Sequence, residues 1–261
     1  MTSPDLLHAE TYGAADGAPV LAVHGITGFG ARFERTAALI PERRWICPDL
    51  RGHGRSTSVP PWRTEDHVAD LLAVLDAHDV DRAAVVAHSF GGHLALHLLA
   101  AAPERVGKVV LLDPASLLDP ARAEQGALTY ARDPGWATED EARTEIASWF
   151  TNEGSQPDLG PELDRNLVHA DDGRWRMRFS PVVVAAAYGE MCRPLPPLPE
   201  ADVLLVEADP EHTSVNEALR AALQTSFGDR LRREVVPDAT HVLFRSELEG
   251  TAAAVRPFLI G

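Results

Sequence analysis

Short apolar runs alternate with amphipathic segments over the first 113 residues of the chain. Nearly continuous apolar runs at 20–24, 45–47, 83–87 and 108–112 predict strands, and residues 33–39, 65–79 and 90–102 show helical spacing of their apolar positions. Strands without a polar face are typical of sheets covered by helices on both sides. The alternation therefore predicts βαβ units and an α/β fold with a mostly parallel, doubly wound sheet.

The alternation stops at Asp113 and resumes after a proline-rich return near residue 199. Between these points, helical patterns occur at 121–131, 139–150, 161–169 and 182–192, without a strong buried strand. Afterwards a strand (203–206), a helix (215–223), a strand (231–236) and a final helix are predicted. We therefore expect a core built from 1–113 and 200–261, with 114–199 inserted as a helical lid, or cap.

The sequence A-H-S-F-G at 87–91 joins a buried strand to a predicted helix. A serine between two small residues at such a junction lies on a sharp, strained turn that exposes its hydroxyl. Ala87 stands where the usual G-x-S-x-G pattern has its first glycine, which is a mild departure. Ser89 is the candidate nucleophile, and a buried helix N-cap is the alternative.

Two further chemical residues follow later strands. Asp209 comes after the strand at 203–206, and His241 lies in a turn after the strand at 231–236. A serine hydroxyl needs a base such as the His241 imidazole, which in turn needs an acid to fix its tautomer. We expect Asp209 to be that acid, with Asp113, at the end of the strand at 108–112, as the alternative.

The order Ser89, Asp209, His241, the His-Gly loop at 24–25 and the sequence D-L-R-G-H-G-R-S at 49–56 resemble the α/β-hydrolase superfamily. The resemblance implies the α/β-hydrolase fold and a serine-nucleophile, lid-bearing, esterase-like branch. It also implies an oxyanion hole made by the backbone N–H groups of Ile26 and Phe90.

The other histidines have simpler interpretations. His24 supports the turn of the His-Gly loop, and His53, in R-G-H-G, is interpreted as structural. No compact metal-ligand spacing occurs, so we expect neither a metal nor a cofactor.

The segment 114–199 contains aromatic and methionine side chains that suit an apolar acyl pocket. Trp136, Trp149 and Met177 are the candidates for its walls, although packing of small lid helices on the core is the better explanation for any single one of them. The alternating arginines at 174, 176 and 178 are interpreted as a solvated face rather than as a carboxylate site.

These features predict a serine hydrolase that cleaves a small or medium, fairly apolar ester, lactone or thioester. Four alternatives stay open: an acyltransferase or cyclase of secondary metabolism, a cofactor-free haloperoxidase, a carbon–carbon bond hydrolase, and a small-molecule binding protein with slow turnover. Val242 follows the histidine where carbon–carbon hydrolases often carry tryptophan.

Composition limits the partners. The formal net charge of −15 disfavours nucleic acid and anionic membrane surfaces, so we expect a small-molecule substrate. Neither a signal peptide nor a long apolar segment is evident, which predicts a cytoplasmic protein. The two cysteines, Cys47 and Cys192, are distant in sequence, and Cys47 is interpreted as a core residue.

Overall fold

The computed structural model describes residues 7–131, 135–148 and 159–261. The strands are, in chain order, β1 (Ala9–Gly13), β2 (Ala18–Val23), β3 (Arg43–Pro48), β4 (Ala83–His88), β5 (Val106–Leu112), β6 (Leu167–His169), β7 (Trp175–Met177), β8 (Asp202–Glu207) and β9 (Leu231–Val235). The α-helices are α1 (Glu34–Leu39), α2 (Thr64–Ala77), α3 (Phe90–Ala101), α4 (Pro120–Ala131), α5 (Glu139–Ser148), α6 (Gly160–Asn166), α7 (Pro181–Glu190), α8 (Glu217–Phe227), α9 (Leu243–Ser246) and α10 (Leu248–Ile260).

Seven of these strands form one sheet in the order β1-β3-β2-β4-β5-β8-β9. The pairing of β1 with β3 is antiparallel, and every other pairing in this sheet is parallel. The predicted α/β fold with a mostly parallel sheet is confirmed. The chain runs outward from β2 to β3 and then crosses back to β4 on the other side of β2. The strand order therefore reverses between β2 and β4, and sheets of this kind bind ligands at the carboxyl ends of such neighbouring strands.

Alternate residues of the central strands face opposite layers of helices. Leu21 and Val23 pack in one core cluster with apolar residues of α2, α3 and α8. Val20 and Ala22 pack in a second cluster, on the other face, with residues of α1 and α10. Burial on both faces explains why these strands show apolar runs rather than alternation.

The segment between β5 and β8, residues 114–199, is called the insertion below. Helices α4 and α7 pack against each other, and Ala123 and Ala187 join the same core cluster as α2 and α3. The described parts of α5, α6 and the ribbon of β6 with β7 enclose a separate cluster that includes Ile146, Leu163 and Met177. The insertion thus has one half continuous with the core and one half with its own small core.

Three differences from the sequence prediction stand out. Strand β1 was not predicted, because its five residues are half-buried at the sheet edge and lack an apolar run. The helix predicted over 161–169 ends at Asn166, and its last three residues form β6. The single final helix that was predicted is divided into α9 and α10, with a break at Glu247.

Cysteine usage agrees with the prediction. Cys47 is buried in β3, and both Cys47 and Cys192 are free thiols.

Candidate active site

Ser89 occupies the turn between β4 and α3 in a strained backbone conformation, with φ 54° and ψ −120°. Non-glycine residues rarely adopt this conformation. The turn is held by three hydrogen bonds: the Ser89 amide donates to the Leu112 carbonyl, and the Ser89 carbonyl accepts from the amides of Gly92 and Ala115. Gly91 allows the close approach of α3 to the sheet, since a Cβ at this position would lie 2.2 Å from the Val23 carbonyl oxygen. The expected elbow is therefore present.

His241 joins Ser89 to a buried acid. Its Nε2 lies 3.0 Å from Ser89 Oγ, and its Nδ1 lies 2.6 Å from Oδ2 of Asp113. The carboxylate accepts a hydrogen bond from Nδ1–H and so keeps the ring proton on Nδ1. The Nε2 lone pair is then free to accept the Ser89 hydroxyl proton. The three side chains form a Ser-His-Asp relay across 152 residues of sequence.

The acid in this relay corrects the sequence prediction, which preferred Asp209. Asp209 lies in the turn after β8, where its Oδ1 accepts the amide of Glu211 and its carbonyl accepts the amides of His212 and Thr213. Asp113 reaches His241 because β5 neighbours β4 in the sheet and because a positive φ of 42° at Asp113 redirects the chain. The alternative acid, Asp113, is the partner of His241, and Asp209 stabilises its own turn.

The turn after β8 supplies hydrogen-bond donors to Asp113. Oδ1 of Asp113 accepts the Ala208 amide at 3.1 Å and the Thr213 hydroxyl at 2.5 Å. Oδ2 accepts the Ser214 amide at 2.8 Å, in addition to His241. Burial opposes ionisation of this carboxyl, but the hydrogen bonds and the attraction of His241 prevail and lower the pKa of Asp113 to about 2. Asp113 is therefore a carboxylate at neutral pH.

His88 is a second histidine at the site, and its role was not evident from the sequence. Its Nε2–H donates to the His241 carbonyl at 2.8 Å, and the two rings lie 4.8 Å apart. Burial, followed by the proximity of His241, lowers the pKa of His88 to about 3. His88 stays neutral and holds the turn that carries His241 without adding charge beside the relay.

His24 fixes the loop after β2, as predicted. Its Nδ1–H donates to the Gly25 carbonyl at 2.7 Å, and its Nε2 accepts the Leu50 amide at 2.8 Å. Burial holds the pKa of His24 well below its usual range, so the ring stays neutral and can both donate and accept. His53 is also buried and bonds the Arg51 carbonyl through Nδ1, which agrees with a structural role.

The loops after β2 and β4 bring Ile26 and Phe90 to the same edge of the sheet. In the described part of the chain, neither backbone amide has a hydrogen-bond acceptor. Gly25 lies close to Ser89, since a Cβ built on it would be 2.7 Å from the Ser89 Cβ. This arrangement offers two N–H donors beside the candidate nucleophile.

Ser89 and His241 line a cavity of about 530 Å³. Its apolar wall comes largely from the insertion and includes Met177, Tyr188 and Met191. Of the three predicted wall residues, Met177 lies on the cavity. Trp136 packs beside the small core of the insertion, and its indole N–H donates to Glu145. Trp149 lies outside the described residues.

Two of the three alternating arginines, Arg174 and Arg176, have partners within the insertion. Arg176 forms an ion pair with Asp172, and Arg174 donates to the Gly135 carbonyl at 2.6 Å. Within the described ranges, no group of three His, Cys, Asp or Glu side chains is arranged to hold a metal ion. Among the same residues, no helix is long and apolar enough to cross a bilayer.

Comparison with known proteins agrees with this geometry. The family model for the alpha/beta hydrolase fold matches residues 18–157, which is more than half of the chain. The chain belongs to this family. This α/β-hydrolase is 38% identical over 226 residues to lipase LipV of Mycobacterium tuberculosis, covering 85% of this chain and 86% of that protein. It is 29% identical over 172 residues to 3-oxoadipate enol-lactonase 2 of Acinetobacter baylyi, covering 65% of this chain and 63% of that one.

Among solved structures, E-2-(acetamidomethylene)succinate hydrolase superposes on the α/β-hydrolase with a TM-score of 0.85 at 22% identity, covering 98% of this chain and 95% of the other. At this identity the likeness shows the shared fold alone. The family model and the lipase relative confirm the predicted superfamily, and the solved structure agrees with its fold.

Proposed function

We propose that this α/β-hydrolase cleaves small or medium carboxylic esters through an acyl-enzyme formed on Ser89. The observation that carries the proposal is the continuous relay from Ser89 Oγ through the His241 ring to the Asp113 carboxylate. The names of the lipase and lactonase relatives support hydrolysis at an ester bond. The largely apolar cavity beside Ser89 supports an acyl chain of modest length.

In the first half-reaction, Ser89 Oγ attacks the ester carbonyl carbon while its proton passes to Nε2 of His241. Asp113 stabilises the imidazolium that forms. The negative charge on the former carbonyl oxygen is met by the amides of Ile26 and Phe90, whose hydrogen bonds strengthen as charge develops. Collapse of the intermediate breaks the bond to the alcohol, and the alcohol oxygen takes the proton from His241.

In the second half-reaction, water attacks the acyl-Ser89 carbonyl and gives a proton to His241. A second tetrahedral intermediate collapses, the bond to Ser89 Oγ breaks, and the proton returns from His241 to Oγ. The carboxylic acid leaves, and the relay is restored.

A panel of p-nitrophenyl esters of increasing acyl length tests the proposal. We expect turnover with a burst of p-nitrophenol equal to the enzyme concentration, wherever deacylation is slower than acylation. A fluorophosphonate should add one adduct per chain, on Ser89. Absence of both turnover and labelling would reject the proposal. An added alcohol that suppresses acid formation and forms a new ester would instead indicate an acyltransferase.

We also propose that the insertion acts as a lid whose side chains select the acyl chain. Met177 is buried and lies on the cavity, so Met177→Ala should lower kcat/KM for a hexanoate ester about threefold to tenfold relative to acetate, because part of its apolar contact is lost. The measurement is the ratio of the two kcat/KM values, which does not depend on the folded fraction.

Trp136→Ala is the matched control for this prediction. Trp136 packs on the same small core but outside the cavity lining, so its loss should lower the thermal midpoint and leave the ratio unchanged. An unchanged ratio in Met177→Ala would contradict the proposed selection by this wall.

A further inference from the structure

Two tyrosines of the insertion stand side by side on the wall of the cavity that contains Ser89. Tyr130, in the last turn of α4, and Tyr188, in α7, both line the cavity and are half-buried. Their rings are nearly parallel, with centroids 6.0 Å apart and an angle of 25° between the planes. Aromatic pairs favour such an offset arrangement. Because α4 and α7 pack against each other, the pair forms one aromatic surface across both helices, called the tyrosine wall below.

Neighbouring residues fix the positions of both rings. The ring of Tyr188 lies against α4 at Gly126, where a Cβ would be 2.4 Å from Cε1 of that ring. Any side chain at position 126 would therefore displace Tyr188. The ring of Tyr130 packs edge-to-face on Phe179, with centroids 5.8 Å apart and an angle of 79° between the planes. Side chains that are already fixed lose little conformational freedom when a ligand binds to them.

The hydroxyl groups of the tyrosine wall are free to bond a bound molecule. Among the described residues, neither the Tyr130 hydroxyl nor the Tyr188 hydroxyl has a hydrogen-bond partner. Neither oxygen is sealed off from solvent either. Burial of the rings raises the pKa of both phenols, so they stay protonated at neutral pH and can donate. A buried tyrosine hydroxyl usually finds a partner, which here a ligand with an oxygen acceptor would supply.

The rest of the wall favours an aromatic ring over a saturated chain. Met177 and Met191 are buried and line the same cavity, and thioether sulfur makes favourable contacts with aromatic rings. A saturated chain gains only from the apolar area that it buries. An aromatic ring buries similar area and gains in addition from ring–ring contacts with the tyrosine wall. Because Ser89 lines this cavity too, one bound molecule can contact both the nucleophile and the tyrosine wall.

We propose that the tyrosine wall, Tyr130 and Tyr188, is a subsite for a planar aromatic ring of the substrate that carries an oxygen substituent. This inference rests on the proposed esterase function and specifies its substrate class as aryl-bearing esters. The rings of the wall recognise the aromatic ring, and the two phenol O–H groups donate to its substituent. The ring belongs to the acyl or to the alcohol part of the ester, and the substrates below separate the two.

Matched substrates test the proposal, with hydrolysis followed by pH-stat titration. Ethyl 3-phenylpropanoate and ethyl 3-cyclohexylpropanoate place a six-membered ring at the same distance from the ester. The cyclohexyl ring is bulkier and more apolar, so a wall that recognises apolar area alone would favour it. We expect kcat/KM to favour the phenyl ester about 2- to 10-fold. A para hydroxyl on the phenyl ring should add about 2- to 10-fold. The acetates of 2-phenylethanol and 2-cyclohexylethanol make the same comparison on the alcohol part.

Three variants separate the contribution of the rings from that of the hydroxyls. Tyr188→Leu removes one ring of the wall and should bring the phenyl-to-cyclohexyl ratio to one or below. The double variant Tyr130→Phe, Tyr188→Phe keeps both rings, so it should keep this ratio and lose the gain from the para hydroxyl. Gly126→Ala retains both tyrosines but displaces the ring of Tyr188, and should therefore lower the phenyl-to-cyclohexyl ratio.

Tyr12, the third tyrosine of the chain, provides the matched control. It lies in β1, its hydroxyl donates to Glu10, and it is not part of the cavity wall. Tyr12→Leu should leave both substrate ratios at the values of the unmodified protein. Each ratio compares two kcat/KM values of one preparation, so a loss of folded protein does not change it.

A binding measurement makes the result independent of turnover. Calorimetric titration of Ser89→Ala with ethyl 3-(4-hydroxyphenyl)propanoate should give a Kd about fourfold or more below that of ethyl 3-cyclohexylpropanoate, and addition of Tyr188→Leu should abolish the difference. A preference that Tyr188→Leu does not change, or no preference for the aromatic ring on either part of the ester, would overturn the proposal. Hydrolysis of both members of each pair with equal kcat/KM would overturn it while leaving the esterase function intact. Selective binding of the aryl esters without hydrolysis would instead support the subsite and reject the esterase function.

Discussion

Ser89→Ala should lower kcat for ester hydrolysis about 10⁶-fold, with the fold preserved. The loss is this large because the variant can form no acyl-enzyme and His241 has no hydroxyl to deprotonate. The hydroxyl bonds His241 at 3.0 Å, and the strained turn of Ser89 is held by backbone hydrogen bonds that alanine also makes. Steady-state kinetics with a p-nitrophenyl ester, together with intact mass after fluorophosphonate treatment, measure the effect.

Ser116→Ala is the control for this variant. Ser116 is also buried, but its hydroxyl lies beside His93, away from the relay. This variant should keep turnover within a few-fold of the unmodified protein and retain the single adduct. A fluorophosphonate adduct that persists in Ser89→Ala would show that another residue is the nucleophile.

Asp113→Asn should lower kcat about 10⁴-fold, as for the corresponding change in a Ser-His-Asp protease. An asparagine amide in this position donates to Nδ1 of His241, so the ring carries its proton on Nε2 instead. A protonated Nε2 cannot accept the Ser89 proton. The carboxylate normally accepts that Nδ1–H at 2.6 Å. The measurement is kcat with a p-nitrophenyl ester, accompanied by the thermal midpoint to show that the variant is folded.

Asp209→Asn is the control variant for Asp113→Asn, because it makes the same chemical change at the other candidate acid. Its side chain bonds the Glu211 amide within its own turn, so we expect kcat within a few-fold of the unmodified protein and a modest fall in the thermal midpoint. If Asp209→Asn caused the large loss and Asp113→Asn the small one, the relay through Asp113 would not be the catalytic one.

The sheet could be predicted because its strands are buried on both faces. An apolar run such as Ala83–His88 can be assigned as a strand because it is short and lies between a turn and a helical segment. The edge strand Ala9–Gly13 and the ribbon of β6 and β7 are short and half-buried, so their sequences resemble loops or helix ends. Strands of this kind are fixed by the partner beside them, which the sequence does not show.

Ser89 and His241 were predictable, whereas the acid was not. Asp113 and Asp209 both follow parallel strands, and the carboxyl ends of such strands meet at one edge of the sheet. Which of the two carboxylates bonds His241 depends on the positive φ at Asp113 and on the hydrogen-bond donors of the turn after β8, and the sequence shows neither.

The ion pairs of Glu162 with Arg32 and Arg245 on the cavity wall were beyond sequence analysis for a similar reason. Arg32 and Glu162 are separated by 130 residues, and Glu162 and Arg245 by 83. No motif or spacing links them. The arginines at 174, 176 and 178 do form a visible alternating pattern in the sequence, and Arg176 has a local acidic partner, Asp172. Their interpretation as a surface face rather than a carboxylate site agrees with that pairing.

The division of the insertion into two halves has a consequence for protein engineering. Helices α4 and α7 share the core cluster of the sheet, while the described residues between them form a cluster of their own. An exchange of the whole insertion with a relative would disturb the main core. The stretch between α4 and α7 carries Met177 and Glu162 of the cavity wall, so under the proposed role of the insertion this shorter stretch is the one to exchange when the substrate range is to be altered.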